Sequence, residues 1–167
     1  MNLQGLSHVS SVVTKVFLRS YKVGLSEADF NGHLRSTRYL DYSADVRYAH
    51  LVEAGWTLRR ITEAGVAPVS TVDELRYLRE VNVDETITAA YRLTGASEDG
   101  ARWQVSVDMT NSDNAVVATV MTTGAWIGLR SRRITAPPTD LAAAVNDLRS
   151  DDFVVLETAD RPRPPSP

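Results

Sequence analysis

The chain has 167 residues and a mass of 18.4 kDa; 43% of the residues are hydrophobic and 23% charged, the make-up of one soluble globular domain. Eighteen basic against 21 acidic side chains leave a net charge of -3 and a pI near 5.6, which argues against a nucleic-acid binder held by bulk phosphate attraction. Cysteine is absent, which excludes a disulfide framework, a thiolate metal site and a cysteine nucleophile.

Residues 1–9 read as a loose leader, without the basic start and apolar run of a signal peptide. The most apolar stretch, Ala115–Met121, falls far short of the ~20 residues that span a bilayer. A soluble, cytoplasmic protein with no membrane and no nucleic-acid partner is therefore expected. Ser11–Val23, rich in Val, Phe, Leu and Tyr, predicts a strand, and a polar loop follows. A helix is expected over Arg38–Ala54, capped by Ser36 or Thr37 and stopped at Gly55. Leu40, Ala44, Arg47 and Leu51 share one face of it, and Tyr39, Tyr42, Val46 and Ala49 form a second, so the helix should be largely buried. A shorter helix is expected over Trp56–Ala64.

The period then changes to two. Val66–Leu78, Thr86–Ala96, Arg102–Thr110 and Ala115–Leu129 read as strands, expected as a four-stranded meander with turns at Asp99-Gly100 and Asp113-Asn114. Thr139 should cap a last helix running to Leu148. The domain is expected over residues 1–150, and residues 151–167, with four of the seven prolines in the last six positions, as a flexible tail. The fold class is α+β, an antiparallel sheet with one buried helix.

No G-x-S-x-G elbow, nucleotide-binding glycine loop or His metal spacing occurs. What stands out is Glu27-Ala28-Asp29-Phe30-Asn31-Gly32-His33, two carboxylates, a carboxamide, a glycine and a histidine just before the buried helix. The first amides of a helix lack internal partners and carry partial positive charge, so they can hold a developing oxyanion. A carboxylate upstream can then serve as general base on water or as nucleophile.

The run E-x-D-x-x-G-H-L from Glu27 to Leu34, followed by Arg35-Ser36-Thr37-Arg38-Tyr39-Leu40-Asp41-Tyr42 and Arg47, resembles the hotdog-fold acyl-CoA thioesterases of the 4-hydroxybenzoyl-CoA thioesterase type. Glu74-Leu75-Arg76-Tyr77-Leu78-Arg79-Glu80 with Asp84, and Gly124-Ala125-Trp126 with Arg132-Arg133 and Pro137-Pro138, are similar to later segments of that family. The resemblance covers residues 12–148. It implies a sheet wrapped around the long helix, a homodimer or dimer of dimers with active sites at the interface, and hydrolysis of an acyl thioester on CoA or acyl carrier protein. It implies no cofactor or metal, coenzyme A entering as part of the substrate. The catalytic carboxylate falls on Asp29 and the carbonyl-polarising amide near Ser36, with Asn31, Gly32 and His33 shaping the loop. Glu27 stands where the family has aspartate, and Arg35-Ser36 where it has paired asparagines.

For each residue a plainer role stands beside the chemical one. Asp29 can bond its own loop amides. Glu27 is read as solvated or structural, and His33 as a support or a direct participant, in catalysis or against substrate. Arg35 is placed beside the substrate. Arg76 and Arg79, with Arg130, Arg132 and Arg133, either hold CoA phosphates or form a solvated face. Tyr39, Tyr42, Trp56, Trp103 and Trp126 are core or the wall of an acyl pocket. Asp41 and Asp45 are expected to pair with Arg38 and Arg47 or meet solvent. Two rival activities share the fold: an acyl-thioester hydratase or dehydratase, and a non-catalytic acyl-CoA binding module.

Overall fold

The computed structural model describes residues 15–157. The elements run β1 (Phe17–Lys22), a 3-10 turn (Leu25–Glu27), α1 (Ser36–Glu53), α2 (Leu58–Glu63), β2 (Val66–Tyr77), β3 (Thr86–Ala96), β4 (Arg102–Thr110), β5 (Val116–Gly128), α3 (Thr139–Asn146) and β6 (Arg149–Val155).

Alternation decides the sheet. In β4 Trp103, Val105, Val107 and Met109 are buried while their neighbours are half-buried, and β3 and β5 follow the same rule. Their inner faces meet α1, which buries Tyr39, Tyr42, Ser43, Val46, Ala49, His50 and Leu51. The face of Tyr39, Tyr42, Val46 and Ala49 is core, but Leu40 and Ala44 on the other apolar face are exposed, which corrects the expectation of a largely buried helix. His50 lies edge-on to the rings of Phe17 and Tyr91, at 5.2 and 5.5 Å, and burial pulls its pKa below the ordinary value. The helix ends where Gly55 N–H donates to Val52 C=O and Trp56 N–H to Leu51 C=O, which satisfies two terminal carbonyls and turns Trp56 into the core.

The strand order is β1-β3-β4-β5-β2. β3, β4 and β5 form a meander, but β2 pairs with β5 rather than with β3, which corrects the expected four-strand meander. Periodicity reports that a segment is a strand, not which neighbour it takes. The expected caps are also corrected. Arg35 and Pro138 hold the N-cap positions of α1 and α3, neither with a side-chain bond, and Ser36, Thr37 and Thr139 lie inside their helices. Of the expected first strand, residues 11–14 lie outside the described residues.

The flexible tail expected from residue 151 is corrected at its start. Residues 151–155 belong to β6, which runs parallel to β3 against Leu93, Gly95 and Ala96. β1 covers β3 from Thr86 to Tyr91, so β1 and β6 share one edge of the same strand and protect it along most of its length. Residues 158–167 of the expected tail lie outside the described residues.

At Gly124 of β5 the Trp103 ring and the Val69 carbonyl oxygen occupy the space a Cβ would need. Trp103 stands directly opposite Gly124 in the β4–β5 register, so the indole lies across the glycine. Gly124→Ala is expected to lower stability by about 1–3 kcal/mol through overpacking, read as a lower urea midpoint with the m-value unchanged.

Candidate active site

The loop between β1 and α1 is a small hairpin. Ala28 and Leu34 form an antiparallel bridge, Asp29 N–H donates to His33 C=O at 2.8 Å, and Gly32 N–H donates to Asp29 C=O at 3.1 Å. Gly32 closes the turn at φ +83°, a left-handed conformation that a side chain would strain. The hairpin is pinned to the segment after β2, where Leu34 N–H donates to Val81 C=O at 2.7 Å and Val83 N–H to Gly32 C=O at 3.3 Å.

Asp29 sits at the turn's first position. Its Oδ1 accepts from the Asn31 amide at 2.8 Å and the His33 amide at 3.2 Å. Among the described residues Oδ2 accepts no hydrogen bond, and the residue is half-buried. The loop-bonding role is therefore real, and it leaves one carboxylate oxygen over. Asn31 and Gly32 are exposed at the tip beside Phe30, which is 98% exposed. His33 is half-buried, its Nε2 3.6 Å from a Glu80 carboxylate oxygen.

Ser36, the first residue of α1, is exposed, and its carbonyl accepts from the Tyr77 hydroxyl at 3.2 Å. Arg35 N–H is taken by Glu27 C=O at 3.0 Å. The amides of Ser36 and Thr37 then have no acceptor among the described residues, as the first turn of an uncapped helix requires. The spare carboxylate oxygen and these free amides belong to the two arms of one hairpin and its exit.

Glu27 organises the base of the loop. Its Oε2 accepts from Gly24 N–H and from the Tyr42 hydroxyl, both at 2.9 Å, while Oε1 accepts from Arg38 Nε at 2.9 Å and from Arg38 Nη2. Burial pushes its carboxyl upward, but the Gly24 amide, Arg38 and Tyr42 outweigh this and hold it below the ordinary range. The same burial and the Glu27 bond raise Tyr42 to about 12. Glu27 is structural rather than solvated. Arg38 also bonds Asp41 at 2.7 Å, and Asp45 is taken by the Tyr21 hydroxyl at 2.7 Å and Arg19 at 3.1 Å. Asp45 thus pairs with β1, not with Arg47.

Tyr39 is 3% exposed and packs edge-on against Tyr77 at 5.4 Å, so in the single chain it is core. Arg35 is exposed. On β2 Arg76 is held by Glu74 at 2.7 Å, whereas Arg79, just after the strand, is exposed and has no ion-pair partner among the described residues. No three His, Cys, Asp or Glu side chains among the described residues converge as a metal site needs.

Farther along α1 lies a cavity of about 250 Å³, walled by α1, α2, the start of β2 and the inner face of the sheet. Ala44, Arg47, Leu51, Tyr91, Trp103 and Trp126 are in its lining. Trp103 and Trp126 are the aromatics expected as core or pocket wall, and Arg47 interrupts the apolar stripe Leu40, Ala44, Leu51; the contributions of Tyr91 and Val145 carry no signal in the sequence.

Residues 23–145 match the thioesterase-like superfamily. A hypothetical protein from Staphylococcus aureus, solved in complex with CoA, superposes with a TM-score of 0.76 at 16% identity, covering 90% of this chain and 93% of that one. A 1,4-dihydroxy-2-naphthoyl-CoA thioesterase from Synechocystis gives 0.73 at 18%, over 80% and 98%. A chain assigned as an oleoyl thioesterase from Lactobacillus plantarum gives 0.76 at 19%, over 92% of this chain and 57% of that longer one. At such identities these likenesses establish the hotdog fold. No curated protein matches the chain.

Glu27→Gln removes a charge from a site where Arg38 and two further donors converge. It is expected to cost about 2–3 kcal/mol, the scale of hydrogen bonds to a charged group, seen in chemical denaturation. Because the folded carboxyl lies below its ordinary 4.5, its contribution is complete above that pH and is lost as pH falls through the folded value. The acid limb of wild-type stability should therefore be steeper than that of the variant.

Proposed function

The chain belongs to the thioesterase-like superfamily, and on that premise we propose that it hydrolyses an acyl thioester to a free acid and a thiol. Asp29 acts as general base on water or as nucleophile, and the Ser36 amide takes the oxyanion. The observation that carries this reading is the division of labour at Asp29. One oxygen is tied to two loop amides and fixes the carboxylate, while the other is spare, in the loop that leads into an uncapped helix start. An anchored base needs little reorganisation in the transition state, and a prealigned amide is worth ~10²–10³ in rate.

The steps balance simply. Water, or Oδ2 of Asp29, adds to the thioester carbonyl. The electron pair moves to the carbonyl oxygen under the Ser36 N–H, then returns as the C–S bond breaks and the thiolate leaves. In the nucleophilic route a water then hydrolyses the anhydride and restores the Asp29 carboxylate. In the general-base route the proton taken from water by Asp29 is available to the departing sulfur. Asn31, Gly32 and His33 maintain the turn, and His33 also stands beside the reacting carbonyl.

The finer resemblance to the 4-hydroxybenzoyl-CoA type favours CoA as the carrier, with acyl carrier protein as the alternative. The structural neighbour solved with CoA supports the same choice. Arg35 and Arg79 are exposed cations without ion-pair partners among the described residues and are assigned to the phosphates, with Arg76 adjacent. Coenzyme A is part of the substrate, and the reaction is assigned no further cofactor.

A homodimer goes with this reading. β2 ends the strand order, and Val69, Val72, Tyr77 and Leu78 are 38–60% exposed on it or just beyond it. An apolar edge of this kind is a template for a second copy. Tyr39, behind Tyr77, supports that face. Light scattering is expected to give twice 18.4 kDa, and Val72→Lys to return the mass to that of one chain with reduced turnover.

Asp29→Asn tests the chemistry. Asparagine keeps an Oδ1 acceptor for both loop amides, so the fold should stand. Thiol release from acyl-CoAs is expected to fall by ~10²–10⁴, the usual contribution of a positioned base. The protein's lack of cysteine makes a thiol-reactive dye a clean readout. Near-full turnover by the variant would remove Asp29 from the mechanism.

A further inference from the structure

The cavity beside α1 holds more hydrogen-bond donors than acceptors. Arg47 reaches into an otherwise apolar wall with Nε bonded to Ser43 C=O at 3.0 Å and Nη1 to Ser70 Oγ at 3.5 Å, the limit of a bond. No carboxylate lies within ion-pair distance of it among the described residues. The nearby Asp73 donates charge only from afar, its Oδ1 accepting from Thr122 Oγ1 at 2.6 Å. Trp103, in the same wall, has its indole Nε1 buried without an acceptor. Tyr91, also in the wall, has no hydrogen bond to its hydroxyl among the described residues, and burial raises its pKa to about 12, which keeps it a donor.

Such an inventory is costly when empty. A buried donor without an acceptor costs about 1–3 kcal/mol, and the half-buried Arg47 guanidinium has no ion-pair partner among the described residues. One group answers Arg47 and the neighbouring Tyr91 hydroxyl: a carboxylate, with two acceptor oxygens and a charge opposite to that of Arg47, against the wall that Trp103 supplies.

The cavity is also placed to receive the far end of a substrate. Ser36, Leu40, Ala44 and Arg47 fall within about 80° of arc at 3.6 residues per turn, so one stripe of α1 joins the proposed oxyanion amide to the cavity. The Arg47 side chain folds back to Ser43, seven residues from Ser36, or about 10 Å along the axis. The volume, about 250 Å³, lies just under the ~300–1,000 Å³ usual for small-molecule sites, which favours a compact acyl group over a long chain.

We propose that Arg47, with Trp103 and Tyr91, selects a compact acyl group that carries a carboxylate at the end remote from the thioester. This rests on the hydrolase reading above, and the experiment separates the two. Binding of two uncleavable CoA thioethers, S-hexyl-CoA and S-(5-carboxypentyl)-CoA, is measured by calorimetry, and thiol release from hexanoyl-CoA and adipoyl-CoA is measured in parallel. The wild type should favour the carboxylated member of each pair by roughly 10–10²-fold, the scale of a charged hydrogen bond. Arg47→Gln should bring the ratio near one, and Arg47→Lys should restore part of it, a pattern that mere support of the helix does not produce. Equal binding of the two thioethers by the wild type, or a preference for S-hexyl-CoA, overturns the role of Arg47 and leaves the hydrolase reading standing. Binding of neither, with no thiol release from hexanoyl-CoA or adipoyl-CoA, overturns the role of Arg47 and CoA as the carrier.

Discussion

The structure hangs on one carboxylate that is not assigned to the chemistry. Glu27 draws the Gly24 amide, the Arg38 guanidinium and the Tyr42 hydroxyl onto its two oxygens, and its backbone carbonyl takes the Arg35 amide. This ties the end of β1, the hairpin loop and the first two turns of α1 into one unit. A half-buried carboxylate with this many donors is held ionised, and each donor it satisfies would otherwise be left wanting. The site therefore rests on a polar knot, with the apolar core one layer beneath it.

The knot explains why α1 begins without a side-chain cap. Arg35 is drawn back to Glu27 in an extended conformation, and the helix starts at Ser36 with its first amides unspent. In most helices a Ser, Thr, Asp or Asn cap would consume one of them. Here Asp29, the nearest carboxylate in the turn, spends one oxygen on its own loop instead. Stability and chemistry are divided between the two acidic residues of the same short motif. Glu27 fixes the frame, and Asp29 keeps a free oxygen.

The wider fold turns these local facts into a binding surface. The core face of α1 belongs to the sheet, while Ala44, Arg47 and Leu51 line the cavity. Gly124 allows the Trp103 indole to lie across β5 at the wall of that cavity, and β6 seals the β3 edge away from it. β2, at one end of the strand order, leaves a long, partly apolar edge open among the described residues.

Much of this was legible in the residues. Period-two alternation located β3 and β4 to the residue, because half-buried strands must alternate. The length of α1 and its face of Tyr39, Tyr42, Val46 and Ala49 announced a helix packed on the core, and the crowding of Glu27, Asp29, Asn31, Gly32 and His33 before it announced a special loop. Strand order was not legible, since β2 has the same local pattern whether it neighbours β3 or β5. The strand at residues 149–155 was hidden by its polar composition, because its pairing with β3 comes from backbone bonds that no side-chain pattern reports. The roles of Arg47 and Tyr91, and the particular partners of Glu27 and Trp103, were likewise beyond reach. Each is defined by which distant groups satisfy it or leave it unsatisfied. Local propensity and periodicity thus determined the elements and the candidate loop, through interactions spanning a few residues. Only tertiary structure decided which polar atoms are partnered and which remain free, because that depends on desolvation and contacts between segments far apart in the chain.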